Sequence, residues 1–278
     1  MPVTTDRPTP MDQAAGLRQM FAKAQTRFVP VVSNPHLVFG GVLLERLCTA
    51  LGELNLHTLV VDASERAAEP AELARFDLAE GLERLSAQVS YLSARGLPLR
   101  FVDAGGSTQN FLAAVADAAP FADVVLLHAP ASDLARMFAH RAPGVDAPRA
   151  VLLCDERPEA VTHAYAALKL LATRCGVMVH DLLLAAMPQS QRAALVADRL
   201  AQCADDFLGA VLHDFVCIDP AEAAADAPSD ALRRLVAELL PAAWLQLPSG
   251  APLDSGFDTL MHTRAAALPS LHRAPVMN

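Results

Sequence analysis

The chain has 278 residues, of which 53% are hydrophobic, and it carries a formal net charge of -9. This length and apolar content are sufficient for a large hydrophobic core of one or two domains. The acidic balance argues against a general polyanion-binding surface, so we expect no nucleic-acid partner.

Cysteine usage and hydropathy indicate a soluble protein in a reducing compartment. Five cysteines are scattered through apolar runs and form no CxxC pair. An odd number without paired spacing gives no disulfide framework, so we expect buried thiols and no metal site. No segment resembles a signal peptide, and charged residues interrupt every apolar run that could span a bilayer. A cytoplasmic location is therefore expected.

The first helix is predicted after a short lead. Residues 1–10 have the composition of a disordered segment, and the sequence MDQAAGLRQMFAKAQ that follows is amphipathic. Thr9 is the predicted cap, Pro10 the first helical residue and Asp12 the acidic residue of the first turn. Gly16 interrupts the helical pattern.

From residue 27 onward, apolar strands alternate with helices. RFVPVVS and HTLVVDAS predict buried strands on either side of the helix GGVLLERLCTALGELN. Further strands are predicted at LPLRFVDA, ADVVLLHA, PRAVLLCD and VMVHDLLLAA, and further helices at about residues 70–94, 159–174 and 190–212. Near-continuous Val and Leu runs between helices are typical of parallel strands. The sequence therefore predicts a doubly wound α/β fold, with a mostly parallel sheet and helices on both faces.

The last part of the chain predicts one more helix and a tail. Residues 230–245, DALRRLVAELLPAAWL, are amphipathic, but Pro241 breaks the pattern and the basic content is low. We expect this helix to pack on the core and not on a membrane. The prediction divides the chain into a lead and first helix (1–25), an α/β domain (26–245) and a poorly ordered tail (246–278).

Two segments of the sequence resemble a known family. MDQAAGLRQMF is similar to the DQAxGLR element that opens the FlhG (FleN, YlxH) regulators of flagellar number, which are MinD/ParA-like ATPases with a deviant Walker A loop. In that family, a loop of the form SGKGGVGK[ST] follows the first strand, and LLDAD ends the second. Setting Ser33 on the first serine of this loop brings Asp62 onto the first aspartate of LLDAD without a gap. The resemblance extends over about residues 11–240 and implies the MinD-like (SIMIBI) P-loop NTPase fold.

The chain lacks most of the residues that bind nucleotide in the resembled family. The signature lysine corresponds to Pro35, the phosphate-binding lysine to Gly40 and the magnesium-binding Ser/Thr to Gly41. The Walker B aspartate corresponds to His128. A phosphate cradle needs consecutive backbone N–H groups that point inward, and proline has none.

These losses predict a pseudo-ATPase whose nucleotide site is degenerate. Asp62 is retained, but the second aspartate of LLDAD has become Ser64, and alanines replace the adenine-reading asparagine. We therefore expect no nucleotide cofactor and no bound metal ion. The loop VDAGGST (residues 102–108) follows a predicted strand and is a candidate lining of the same pocket. An alternative is that residues 33–41 form an ordinary strand-to-helix loop in an unrelated α/β protein.

The resemblance also implies a partner. In the resembled family, the DQAxGLR helix docks on FlhF, a GTPase of the signal-recognition-particle type, and stimulates its GTP hydrolysis. By this resemblance, Gln13 is the catalytic residue that acts in trans, since a carboxamide can orient an attacking water. The implied partner-binding residues are Asp12, Gly16, Leu17, Arg18 and Phe21. The alternative for all six is a helix that packs on its own domain.

The function implied is that of a regulator of flagellar number and placement. Such a regulator would be recruited to the cell pole or inner membrane through FlhF, with only indirect membrane contact. Two alternatives stay open. One is a nucleotide-independent scaffold or antagonist that binds a flagellar transcription regulator or a C-ring component. The other is an enzyme of unrelated chemistry that reuses the former ATP pocket.

Overall fold

The computed structural model describes residues 25–141, 145–223 and 225–246. Within them, the strands are β1 (Thr26–Val32), β2 (Thr58–Asp62), β3 (Leu82–Arg84), β4 (Val89–Ser93), β5 (Val124–Ala129), β6 (Ala150–Asp155), β7 (Val179–Ala185), β8 (Val211–Ile218) and β9 (Trp244–Gln246). The α-helices are α1 (Gly40–Glu53), α2 (Asn110–Ala118), α3 (Ala131–Met137), α4 (Pro158–Cys175), α5 (Gln191–Leu208) and α6 (Asp230–Leu239). Short 3₁₀ helices lie at Leu73–Arg75, Leu78–Gly81, Pro98–Phe101 and Leu240–Ala242.

The strands form one sheet in the order β3-β4-β2-β5-β1-β6-β7-β8, and β9 pairs with the first half of β1. The seven strands from β4 to β8 in this order run parallel, and β3 and β9 are antiparallel to their neighbours. Because β1 leads to β2 on one side and β5 leads to β6 on the other, the carboxyl ends of the central strands lie at a switch point of the topology. Ligands of open α/β sheets bind at such points.

Helices cover both faces of the sheet, and successive residues of β1 point to opposite faces. Val29 and Val31 join a buried apolar cluster with α1 and α6, whereas Phe28 and Val32 join a second cluster with α2 to α5. This alternation is the period of two that a strand imposes. The predicted fold class, a doubly wound and mostly parallel α/β sheet, is confirmed.

The predictions for residues 70–104 were wrong. Where a helix was predicted over 70–94, the chain forms two short 3₁₀ helices and the hairpin β3–β4. The sheet position assigned to residues 97–104 belongs to β4, whose Ser90 and Leu92 are buried between less buried neighbours. Pro98 instead starts a 3₁₀ turn, which suits its fixed φ. A five-residue strand gives too short an alternation to compete with the helical pattern around it.

The helix predicted over 190–212 ends earlier, at Leu208. Gly209 takes φ +61°, the left-handed conformation that commonly ends a helix at glycine. Residues 211–218 then form the edge strand β8, which the prediction missed. Gln246, which the prediction placed in the tail, is the last residue of β9. The predicted first helix and the rest of the predicted tail lie outside the described residues.

A buried arginine of α1 forms hydrogen bonds and an ion pair with the segment between β8 and α6. Arg46 is 1% exposed. Its Nη1 donates to Asp226 O at 2.6 Å, and its Nη2 donates to Ala227 O at 3.1 Å and pairs with Glu222 at 3.2 Å. The side chain therefore satisfies several acceptors that would otherwise face the apolar surface of α1.

Replacing Arg46 with methionine should lower the free energy of unfolding by about 2–4 kcal/mol, because it leaves a carboxylate and two carbonyls without their donor. Urea denaturation measures this loss. Arg233→Met is the control, since its ion pair with Glu53 (2.7 Å) is open to solvent and a much smaller change is expected. Equal losses in the two variants would contradict the role of Arg46.

Candidate functional site

A cavity of about 210 Å³ opens at the carboxyl ends of β1, β2 and β5, beside the start of α1. The five residues that the resemblance assigned to the degenerate nucleotide site all line it, namely Pro35, Gly40, Gly41, Asp62 and His128. The structure thus brings together positions that are up to 93 residues apart in the chain, counted from Pro35 to His128. The β1–α1 loop, residues 33–39, forms one wall.

Asn34 fixes the β1–α1 loop. Its side chain is 7% exposed, and its Nδ2 donates to both Leu153 O and Ala160 O at 3.0 Å. Its Oδ1 accepts the backbone N–H of His36 at 3.1 Å. Since Leu153 belongs to β6 and Ala160 to α4, one buried amide ties the loop to two elements more than one hundred residues away.

At four positions of this loop, the backbone N–H group is bonded inside the protein or is missing. Ser33 donates to Ala129 O at 2.9 Å and so extends the pairing of β1 with β5. Pro35 has no N–H. His36 and Leu37 donate to the side chain and the backbone carbonyl of Asn34, at 3.1 and 3.0 Å. A phosphate needs such groups free and convergent, and these four positions offer none.

The loop carbonyls, in contrast, face basic side chains. These pairs are His163 Nε2 with Ser33 O (3.2 Å), Arg66 with Leu37 O (3.0 Å) and Arg157 with His36 O. The Leu37 side chain is 3% exposed and lies over Gly40, where an added Cβ would be 3.6 Å from its Cδ2. At residues 33, 36 and 37, the loop carbonyls are thus bonded to basic side chains, and Leu37 adds an apolar side chain beside Gly40.

Asp62 is held by three neighbours at the end of β2. His128 Nδ1 lies 2.9 Å from its Oδ1, the Ser64 N–H donates to the same oxygen at 3.0 Å, and the Tyr91 hydroxyl donates to Oδ2 at 3.2 Å. Burial raises the pKa of Asp62, but the hydrogen bond and charge of His128 and the bonds from Ser64 outweigh it, so the pKa lies below its ordinary 3.8. Burial and the Asp62 charge raise the pKa of Tyr91 to about 12. The Asp62 carboxylate is thus ionised and already paired.

In the part of the chain that the structure describes, no group of three His, Cys, Asp or Glu side chains is placed to hold a metal ion. No helix in the same part is both long and apolar enough to cross a bilayer. The predicted partner-binding residues and Gln13 lie in residues 1–24, outside the described residues.

The loop VDAGGST does not line this cavity, contrary to expectation. Gly105, Gly106 and Ser107 border a separate depression between α3 and α4, beside Arg136 and Arg174. The loop follows a 3₁₀ turn and not a strand, so it does not reach the carboxyl edge of the sheet.

Sequence reasoning missed the roles of Asn34, Arg66 and Arg157. Arg157 directly precedes the first turn of α4. Its guanidinium does pair with Asp155, Nε to Oδ2 at 2.8 Å, but it also reaches His36 O. The partners of Asn34 and Arg157 lie over one hundred positions away, so no local pattern could reveal these bonds.

Comparison with known proteins gives structural matches only. No family model and no curated protein matches the sequence. A plasmid partition protein from Borrelia burgdorferi bound to AMPPNP superposes with a TM-score of 0.53 at 8% identity, covering 77% of this chain and 98% of that one. Cobyrinic acid a,c-diamide synthase from Mycobacterium smegmatis superposes with a TM-score of 0.52 at 16% identity, covering 80% and 99%. The MinD cell division protein of Aquifex aeolicus gives 0.48 at 13% identity, covering 80% and 98%.

The matches with TM-scores above 0.5 show the fold and no more. The chain has a mostly parallel, helix-flanked sheet like that of the plasmid partition protein and the cobyrinic acid a,c-diamide synthase. At these identities, residue roles do not transfer from the matched proteins to this chain.

Replacing Asn34 with aspartate should destabilise the fold by about 2–4 kcal/mol at pH 7, because a carboxylate would face two carbonyl oxygens that now accept from an amide. Part of the loss should be recovered at pH 4–5, where a protonated carboxyl can donate one bond. Urea denaturation at the two pH values measures both effects. Asn55→Asp, at an exposed turn, is the matched control and should change stability by less than about 0.5 kcal/mol. A neutral Asn34→Asp would contradict the role assigned to the amide.

Proposed function

We propose that this chain is a regulatory protein that keeps the fold of the MinD/ParA-like NTPases but works without ATP. The observation that carries the proposal is the hydrogen bonding of the β1–α1 loop. Its N–H groups at residues 33, 36 and 37 are bonded inside the protein, and three basic side chains hold its carbonyls.

The missing lysines also weaken the binding of ATP. Each charge-assisted contact to a phosphate is worth about 1.5–3 kcal/mol, and both lysine positions hold residues without charge, Pro35 and Gly40. Their loss weakens ATP binding by roughly two to four powers of ten. Opening the loop to expose its N–H groups would also break the buried bonds of Asn34.

We further propose that the chain regulates flagellar biosynthesis by binding FlhF and stimulating its GTP hydrolysis through residues 11–21. The support is the DQAAGLR sequence, with Gln13 as the residue that orients the attacking water. The described chain begins at the amino end of β1, whereas the cavity lies at its carboxyl end. Stimulation from residues 11–21 would therefore not require a nucleotide in the cavity. Recruitment to the pole or inner membrane would follow from binding FlhF.

Mg-ATP and Mg-ADP should show no binding at millimolar concentration in isothermal titration calorimetry, because both lysines are missing and the N–H groups of residues 33, 36 and 37 are bonded inside the protein. The protein's mass by light scattering should also stay the same when ATP is added. Micromolar affinity, or a dimer that forms only with ATP, would contradict the proposal.

Gln13→Ala should remove most of the stimulation of FlhF GTP hydrolysis and leave binding nearly intact, because the carboxamide contact is made chiefly in the transition state. Leu17→Ala should instead weaken binding, since it removes apolar surface from the contact. GTPase assays over a range of chain concentrations separate the two effects. If Gln13→Ala stimulates like the wild type, the catalytic role is wrong. If the wild type neither binds nor stimulates FlhF, the scaffold or antagonist alternative is favoured.

A further inference from the structure

A long apolar groove runs beside α1, on the face of the sheet that α1 and α6 cover. We call it the edge groove. It has a volume of about 780 Å³ and is lined by Gly41, Leu44, Glu45, Cys48, Thr49, Gly52, Glu53, Val60, Asp62, Leu85, Ser86, Gln88, Val89 and Tyr91. Its floor consists of β2 and β4 side chains, Val60, Val89 and Tyr91, and its rim carries the carboxylates of Glu45 and Glu53.

The edge groove is a gap in the covering of the sheet. Parallel strands are normally buried on both faces. In the described residues, four helices pack on one face and only α1 and α6 pack on the other. The outer strands β4 and β3 therefore have no helix above them on this face, and Leu85 beside them is 62% exposed.

We propose that residues 11–21 of the same chain dock in the edge groove, along α1, when they are not bound to a partner. The docking itself rests on the groove and on the sequence of the segment. Its regulatory meaning rests on the proposed function, which gives these residues to FlhF.

The segment leaves the domain at the edge of the sheet where one end of the groove lies, which is the edge formed by the amino ends of the parallel strands. The described chain begins at residue 25, at the amino end of β1. The lower end of the groove lies at the same edge, because Gln88 directly precedes β4 and its Oε1 would be 3.0 Å from a Cβ on Gly52. From β1 to the space between β2 and β4 is two to three strand spacings, about 12 Å. Residues 22–25, when extended, span about 13 Å.

The length of the segment also fits. The groove follows α1 from Gly41 to Gly52, and eleven helical rises between them span about 16 Å. Residues 11–21 in a helix span about the same length. Helical spacing brings Ala14, Leu17 and Phe21 onto one face of the segment, which matches the apolar floor.

The charges allow one contact between the segment and the rim. Residues 11–21 contain one basic residue, Arg18, and one acidic residue, Asp12. On the rim, Glu45 is exposed, whereas Glu53 already pairs with Arg233 at 2.7 Å. Arg18 can therefore pair with Glu45 while the apolar face of the segment meets the floor.

Docking would make the segment unavailable to another protein. It buries Leu17 and Phe21, the apolar residues that the proposed function places against FlhF. A chain with its segment docked cannot present these residues to the GTPase. The edge groove is therefore an autoinhibitory site, and partner binding competes with it.

Hydrogen–deuterium exchange of the full chain tests the docking. In the wild type, the amides of residues 13–21 should exchange at least about tenfold more slowly than in a free peptide of the same sequence. Leu85→Arg puts a charge into the groove at an exposed site, and Leu17→Arg puts one on the segment. Both should return the exchange to within about twofold of the peptide rate. Leu195→Arg is the matched control, since Leu195 is 51% exposed on α5 and should leave the protection unchanged.

Each other result overturns the docking. Unprotected residues 13–21 in the wild type would show that the segment is not docked. Protection that survives Leu85→Arg would place the segment elsewhere. Protection that increases with protein concentration would assign the groove to the segment of a second copy, and protection of residues 247–278 that Leu85→Arg removes would assign it to the tail.

FlhF assays keep the two proposals separate. If docking competes with FlhF, Leu85→Arg should lower the chain concentration needed for half-maximal stimulation by up to about tenfold, whereas Leu195→Arg should not. If Leu85→Arg removes the protection but neither the wild type nor any variant stimulates FlhF, the docking stands and the proposed function is contradicted. If the wild type stimulates FlhF but its residues 13–21 are not protected, the proposed function stands and the docking is wrong.

Discussion

The architecture of the site depends on one buried amide. The Asn34 side chain joins the end of β1 to a carbonyl of β6 and to a carbonyl in the first turn of α4. In doing so it accepts the His36 N–H and turns the loop so that its carbonyls meet basic side chains. A buried amide with unmet bonds is costly, so the loop conformation and the packing of these elements stabilise each other. In this conformation, the N–H groups of residues 33, 36 and 37 are bonded inside the protein, and the carbonyls of the same residues accept from basic side chains.

Other polar groups that line the cavity are also bonded within the protein. His128, which the resemblance aligns with a Walker B aspartate, lies with its Nδ1 2.9 Å from Asp62 Oδ1. The carboxylate and the imidazole satisfy each other by this hydrogen bond. Arg66 and Arg157 then supply positive charge to the loop from its own surroundings. The Asp62 carboxylate and three loop carbonyls at the switch point are thus bonded to side chains of the protein itself.

The sequence predicted the fold class where the pattern was long and regular. The Val and Leu runs of β1, β2, β5, β6 and β7 are each bounded by helical patterns, and all five strands form. The short strand β4 was missed, because its two serines, Ser90 and Ser93, are three residues apart, which is also the spacing of a polar helix face. The five positions that the resemblance assigned to a degenerate nucleotide site line one cavity, and their role there stays a prediction. The bonds of Asn34 and Arg157 could not be foreseen, since they join residues whose proximity only the completed sheet determines.

The pairing of β9 with β1 has a consequence for the two ends of the chain. Thr26 is the register partner of Gln246, so their Cα atoms are about 5 Å apart. The segments before and after the domain therefore leave from almost the same point. When a protein binds the first segment, the last 32 residues are held close to it. Their effective concentration at that protein is high, on the order of millimolar for short tethers. Two weak contacts from opposite ends of one chain can then combine into bivalent binding, with a higher affinity than either segment has alone.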